Sequence, residues 1–139
     1  MKQMKIIRCE QNTSNFRELE SLFQSKWAGF TFDAYPSELP PPLVVISNEE
    51  VIGGLAFTFY KHPASKDDAI WINALFVLTE YRSKGIASKL IKKSILEVTN
   101  QGHNELLAYT HIPALYENLG WSEIEAETEP EHKIMSITL

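Results

Sequence analysis

The sequence contains one cysteine, Cys9, in 139 residues. An internal disulfide is therefore excluded, and a reducing, cytoplasmic setting is expected. Long apolar runs are missing too: nothing approaches the roughly 20 residues that cross a bilayer. The amino-terminal stretch from Met1 to Arg8 carries charge but no apolar core of the kind a secretory signal needs. A membrane is not an expected partner. Basic residues are scarce, with 13 Lys and Arg against 18 Asp and Glu and a net charge of -5. Nucleic-acid phosphates are thus poor partners, whereas a cationic acceptor such as an amine suits the balance better. The four histidines, His62, His103, His111 and His132, show no metal-ligand spacing with Cys9, so no metal is expected. Neither the Walker pattern nor the Gly-x-Gly-x-x-Gly fingerprint occurs.

What is present is the material of one α/β domain spanning residues 1–139. The hydrophobic share is 44% and the charged share 22%, enough to bury a core without staples. Lys5 to Cys9 reads as a first strand. Asn15, with Glu18 three residues on, has capping-box spacing. Phe16, Leu19, Leu22 and Phe23 then follow at helical period up to Lys26. From Trp27 to the prolines at 40–42 no period fits, and an irregular segment with one short helix is expected. Leu43 to Ser47 and Val51 to Tyr60 predict a hairpin, with Gly53 and Gly54 marking a bulge. Ala69 to Leu78 is nearly continuous apolar, as a central strand would be. Between Gly85 and Asn100, Ala87, Leu90, Ile91, Ile95 and Val98 share one helix face; Lys89, Lys92, Lys93 and Glu97 read as the solvated one. A strand at Glu105 to Thr110, a short helix from Pro113 stopped by Gly120, and strands at Trp121 to Glu127 and Lys133 to Leu139 complete the chain.

The chemistry concentrates where the central strand runs into the long helix, at Val77 to Ser88. A helix's first turn leaves backbone N–H groups unpaired, and its macrodipole makes that end positive. Gly85 and Ala87 are small enough for a phosphate to approach the backbone. Arg82 and Lys84 add charge, and Ser83 and Ser88 add hydroxyl donors. That is the chemistry of a pyrophosphate cradle; read without it, the same residues make a plain strand-helix turn.

Arg82-Ser83-Lys84-Gly85-Ile86-Ala87 resembles the Arg/Gln-x-x-Gly-x-Gly/Ala motif of the GNAT N-acetyltransferases. Leu75-Phe76-Val77 resembles the family's strand end that pairs with the pantetheine arm. Leu115-Tyr116-Glu117-Asn118-Leu119-Gly120-Trp121 resembles its downstream Leu-Tyr-x-x-x-Gly-Phe segment, in the family's order and separation. Thr79 stands where proline is common, Ala87 replaces the commoner glycine, and the Asn-x-x-Ala lead-in to the Tyr helix is absent. The resemblance implies a mixed, mostly antiparallel sheet of about seven strands, splayed in the middle and flanked by about four helices. It also implies acetyl-CoA as co-substrate, bound by Leu75, Phe76, Val77 and Arg82 to Ser88, and an amine of a small molecule or peptide as acceptor. A homodimer is compatible with it. A CoA-binding regulatory or interaction module that has lost turnover is the alternative.

In the resembled mechanism a backbone N–H near Phe76 or Val77 holds the thioester carbonyl, and Tyr116 donates its proton to the departing thiolate. For the base, His111, Tyr109 and a water chain all remain open. Asn73 is polar within an apolar run, so it can face the acceptor or hold a water. Cys9 has no motif tying it to a nucleophilic role and reads as a buried structural thiol. Trp27, Phe30, Phe32 and Tyr35 cannot all form one core stripe. Some should pack under the sheet, while the segment from Trp27 to Tyr35, with the loop from Lys61 to Asp68, is expected to wall the acceptor, Phe32 and Tyr35 being the residues to replace.

Overall fold

The computed structural model describes residues 4–139; Met1, Lys2 and Gln3, part of the amino-terminal stretch read above, lie outside them. The elements run β1 (Met4–Arg8), α1 (Ser14–Lys26), β2 (Leu43–Ser47), β3 (Glu50–Lys61), β4 (Asp68–Val77), a 3-10 turn (Thr79–Tyr81), α2 (Ile86–Asn100), β5 (Glu105–Thr110), α3 (Pro113–Glu117), β6 (Ser122–Ile124) and β7 (Lys133–Thr138). The seven strands form one sheet in the order β1-β2-β3-β4-β5-β7-β6. Every neighbouring pair is antiparallel except β4 with β5. The architecture is the splayed α/β sheet expected, with three α-helices among the described residues rather than about four.

The missing helix is the one expected between Trp27 and Pro42. That segment folds in turns, with Phe30 N–H bonded to the Trp27 carbonyl and Tyr35 N–H to the Phe32 carbonyl. The start of α1 also differs from the reading. Thr13, not Asn15, caps it, its hydroxyl accepting from Phe16 N–H at 3.3 Å. Thr13 is held for this role because its own Oγ1 donates to the Glu10 carbonyl at 2.7 Å.

Two helices sandwich the sheet. Leu19 and Phe23 press α1 onto one face, over Val44, Ala56 and Ala74. Leu90, Ile91 and Val98 of α2 cover the other face, over Leu55, Phe57, Ile72 and Leu106. Glu97 departs from its expected solvated place: its side chain is buried and takes the Arg8 Nε–H at 2.7 Å. The partner lies on the far strand β1, so helical period alone cannot reveal it. No helix among the described residues is long and apolar enough to cross a membrane.

Two bulges shape the sheet. Between β2 and β3, Val45 pairs with Gly53 and Ile46 with Val51, leaving Ile52 as the extra residue beside the predicted glycines. The Ile52 carbonyl accepts from Leu78 N–H at 2.8 Å, which anchors the exit of β4. Between β3 and β4, Ala56 pairs with Ala74 and Phe57 with Ile72, so Asn73 is extra on β4. A bulge bends its strand and breaks the ladder locally.

Candidate active site

The bend at Asn73 opens the sheet. β4 stays paired with β3 from Asp68 to Val77, yet it meets β5 only at Trp71↔Leu107 and Ile72↔Ala108. Beyond those two rungs the strands diverge, and the edge of β4 from Asn73 to Val77 has no strand partner among the described residues. Asn73 and Tyr109, the first residues past the last rung, flank the apex of the fork, and both are exposed. Asn73, expected to face the acceptor or hold a water, is exposed here but is not among the cleft-lining residues described below.

Past Val77 the chain makes its 3-10 turn and enters α2 through two left-handed residues, Ser83 (φ 63°) and Gly85 (φ 79°). Gly85 is the N-cap, and no side chain caps this end among the described residues. The first N–H groups of α2, on Ile86, Ala87 and Ser88, thus have neither a helical partner nor a capping oxygen. A Cβ built on Gly85 would meet nothing within 4 Å, so the space in front of these amides is open. With no acidic residue in the first turn, the macrodipole there is unopposed. An anion fits this end.

The fork and the helix end line one cleft of about 480 Å³, within the range of small-molecule sites. Of the residues read as cofactor-binding, it brings together Leu75, Phe76, Val77, Arg82, Ser83, Gly85, Ile86, Ala87 and Ser88. Lys84 is not in the lining; its ammonium sits 5.9 Å from the Tyr81 ring centroid. Arg82 Nε–H donates to the Val77 carbonyl at 2.8 Å, and its guanidinium lies over Phe76, 5.3 Å from the centroid. Arg82 therefore braces the strand end as well as charging the cleft. Lys26, Trp27, Tyr81, Ile112 and Leu115 also line it. Of these five, Trp27 falls in the segment expected to wall the acceptor, while Lys26, Tyr81, Ile112 and Leu115 were not read as site residues.

The opposite wall comes from β5 and α3. His111, the first residue past β5, lines the cleft and is exposed. Pro113 starts α3 and Gly120 (φ 93°) follows its end, as the pattern predicted. Leu115 faces the cleft, while the neighbouring Tyr116 is 3% exposed with its ring edge-on to Trp121 at 4.9 Å. Burial pushes the Tyr116 phenol well above its ordinary range, so it is protonated at any neutral pH. Cys9 is buried, and desolvation pushes its thiol up to about 11. A thiol so held is a poor nucleophile.

The aromatic segment after α1 needs a correction. Phe32 is buried and stacks on Phe16 at 4.4 Å. The Tyr35 hydroxyl donates to the Pro40 carbonyl at 2.7 Å and accepts from Phe57 N–H at 3.4 Å. Neither forms the cleft wall. Irregular backbone lets successive rings turn toward one cluster under β3 without a strand or helix period. Trp27 is the ring that reaches the site: 38% exposed, it lies edge-on to Phe76 with centroids 6.3 Å apart.

Residues 4–121 match the family described as Acetyltransferase (GNAT). An uncharacterized N-acetyltransferase of Chlorobaculum tepidum is 33% identical over 82 residues, 59% of this chain and 50% of the relative. The chain thus matches about half the length of that relative. Among solved structures, Arabidopsis thaliana Naa50 in complex with the bisubstrate analogue CoA-Ac-MVNAL superposes with a TM-score of 0.72 at 18% identity, over 98% of this chain and 99% of that one. The NatC complex bound to Gag peptide and CoA gives 0.74 at 17% identity, covering 98% of each chain. At these identities the likeness is one of fold.

Proposed function

Since the chain belongs to the GNAT family of acetyltransferases, we propose that residues 1–139 act as one domain that moves the acetyl group of acetyl-CoA directly to a primary amine. The observation that carries this reading is the uncapped start of α2 opening into the same cleft as the unpaired edge of β4. When bound, acetyl-CoA supplies an activated acyl group on a thiol. The amides of Ile86, Ala87 and Ser88 hold its pyrophosphate, with Arg82 and Ser83 beside them. The free edge of β4 at Leu75 to Val77 offers backbone groups to the pantetheine amides, and a strand-end N–H near Phe76 or Val77 receives the carbonyl oxygen. Lys84 adds long-range charge rather than contact. Tyr116 delivers its proton to the departing sulfur, a role that its protonated state suits. Peptide and CoA ligands of the two structural neighbours support an amine of a small molecule or peptide as acceptor. The lone, buried Cys9 supports a cytoplasmic setting.

One observation favours a CoA-binding module without turnover: the Tyr116 ring is in the core and outside the cleft lining. Two measurements separate the readings. Acetyl-CoA at 100 times its Kd should stabilise the native chain by about 2.7 kcal/mol, and Gly85→Asp should abolish that shift. Its carboxylate meets the phosphates, and φ 79° disfavours any side chain. Thiol release from acetyl-CoA across a panel of amines should then detect transfer. Binding without release selects the module, and an undiminished shift in Gly85→Asp refutes the cradle.

A further inference from the structure

Transfer requires the acceptor nitrogen to lose a proton, because an alkylamine is an ammonium at neutral pH. Two imidazoles meet beside the fork. His111 lines the cleft, and the His132 ring, from the loop between β6 and β7, lies 5.8 Å from it, centroid to centroid. His132 also stacks on Tyr109 at 4.9 Å with planes 17° apart, so its ring orientation is set. The loop itself is tied to that tyrosine, whose hydroxyl accepts from Glu129 N–H at 2.8 Å.

The decisive contact is His132 Nδ1 with the Pro130 carbonyl at 3.0 Å. A carbonyl oxygen only accepts, so Nδ1 must carry the proton, and in neutral His132 the lone pair is on Nε2. With the rings 5.8 Å apart, a basic Nε2 on His132 favours the His111 tautomer that turns its N–H toward His132, directly or through a water. The other His111 nitrogen then has its lone pair free for the cleft.

We propose that His111 and His132 form a directional proton relay for the acceptor amine, with His111 the catalytic base and His132 the residue that positions and drains it. This rests on the transferase reading above. One proton leaves the ammonium for the free nitrogen of His111. The proton on the opposite nitrogen of that ring passes to Nε2 of His132, and His132 releases a proton to solvent. The amine lone pair, now free, forms the C–N bond as the C–S bond breaks; the leaving thiolate takes the Tyr116 proton, and the second proton shed by the acylated nitrogen restores that phenol. The titratable group in contact with the pair is Tyr109 on β5; Glu129 and Glu131 share the loop with His132, and Glu117 on α3 acts on Lys133. Lys133 on β7 is also near, paired with Glu123 on β6 at 2.9 Å.

Imidazole nitrogens in the native full chain can be observed directly by long-range proton–nitrogen NMR. Neutral His132 should be protonated at Nδ1, and His132→Gln should redistribute the His111 tautomers. Phenethylamine, spermidine and the pentapeptide of sequence MVNAL serve as acceptor probes with saturating acetyl-CoA. Near pH 7, His132→Gln and His111→Gln should each lower kcat/KM for the amine about 10- to 100-fold, with the double variant little worse than either. The acetyl-CoA thermal shift of His132→Gln should be unchanged. Near pH 10, where more amine arrives unprotonated, the deficit should shrink to within about threefold. Neutral His132 protonated at Nε2, or a deficit that is absent or equal at both pH values, overturns the relay. Native protein that turns over none of the probes refutes the transferase reading instead, while the tautomer measurement still decides the pair.

Discussion

Gly54→Ala tests how α1 is seated on the sheet. A Cβ built at Gly54 falls on Leu19 Cδ1 and comes within 2.6 Å of the Leu43 carbonyl oxygen. Leu19 is fully buried, and the carbonyl belongs to the β2 backbone, so neither can retreat freely. Overpacking of this kind costs about 1–3 kcal/mol, a fall in Tm of about 3 to 12 °C for a domain of this size. The sign is the informative part. Gly54 has no positive φ, and at such a site alanine alone should stabilise by about 0.4–1 kcal/mol through the unfolded chain. Gly29→Ala, with nothing within 4 Å of its Cβ, is the matched control and should show that gain or no change. Leu19→Ala alone should cost about 2–5 kcal/mol. Combined with Gly54→Ala it should cost less than the sum, since one of the two obstacles is gone. Urea unfolding of the four variants, with m-values compared, supplies the free energies. A Gly54→Ala protein as stable as the parent would refute the seating of Leu19 over Gly54.

Three further outcomes follow from the site and its surroundings. Tyr116→Phe should lower kcat about 10- to 10⁴-fold with acetyl-CoA affinity nearly unchanged, and an equal kcat with chemistry rate-limiting would return Tyr116 to packing. Trp27→Ala should weaken binding in the cleft while leaving stability near the parent's, whereas Phe32→Ala should cost about 3–5 kcal/mol of stability. A melting series beside acetyl-CoA titrations distinguishes the two, and matching losses in both variants would contradict the placement. The Cys9 thiol, held at about 11 against 9.0 unperturbed, stays protonated in the fold while it ionises in the unfolded chain. Its contribution to stability is therefore present below about pH 9 and lost as pH rises toward 11. Thiol reagent at neutral pH should label the unfolded chain only; rapid labelling of native protein would contradict the burial.

Elements with a strong period were legible in the sequence, and with them a mixed α/β sheet, while its splay was implied by the family resemblance. The strand at Glu105 to Thr110 and the buried stripe of α2 came out as read, because alternation and helical spacing are local signals. The turn at the start of α2, proposed above to hold an anion, stood out for the same reason, since small residues at a strand-to-helix junction declare themselves in a few positions. What escaped depends on distant partners. Glu97 looks solvated on a helical wheel and is buried by Arg8, 89 positions away. Phe32 and Tyr35 sit in chain without regular period, so no pattern assigns their faces. The opening of the sheet is set by one unpaired residue at position 73. Asn73 drew notice as a polar interruption, but the register that makes it a bulge exists only once β3 and β4 are aligned.

The free edge of β4 has a consequence for how the chain avoids its own kind. An unsatisfied strand edge ordinarily recruits whatever strand arrives first, including a copy of the same protein, and grows into fibres. Here that edge is recessed at the bottom of a wedge, with β5 and α3 standing opposite and Trp27 beside its outer end. A neighbouring sheet would have to come between these walls to pair with it, whereas an extended molecule can lie along it and use its backbone groups. Recession thus acts as a filter on which strand-like objects are admitted. Widening the wedge by trimming Leu115 or Ile112 would be expected to trade that filter for self-association.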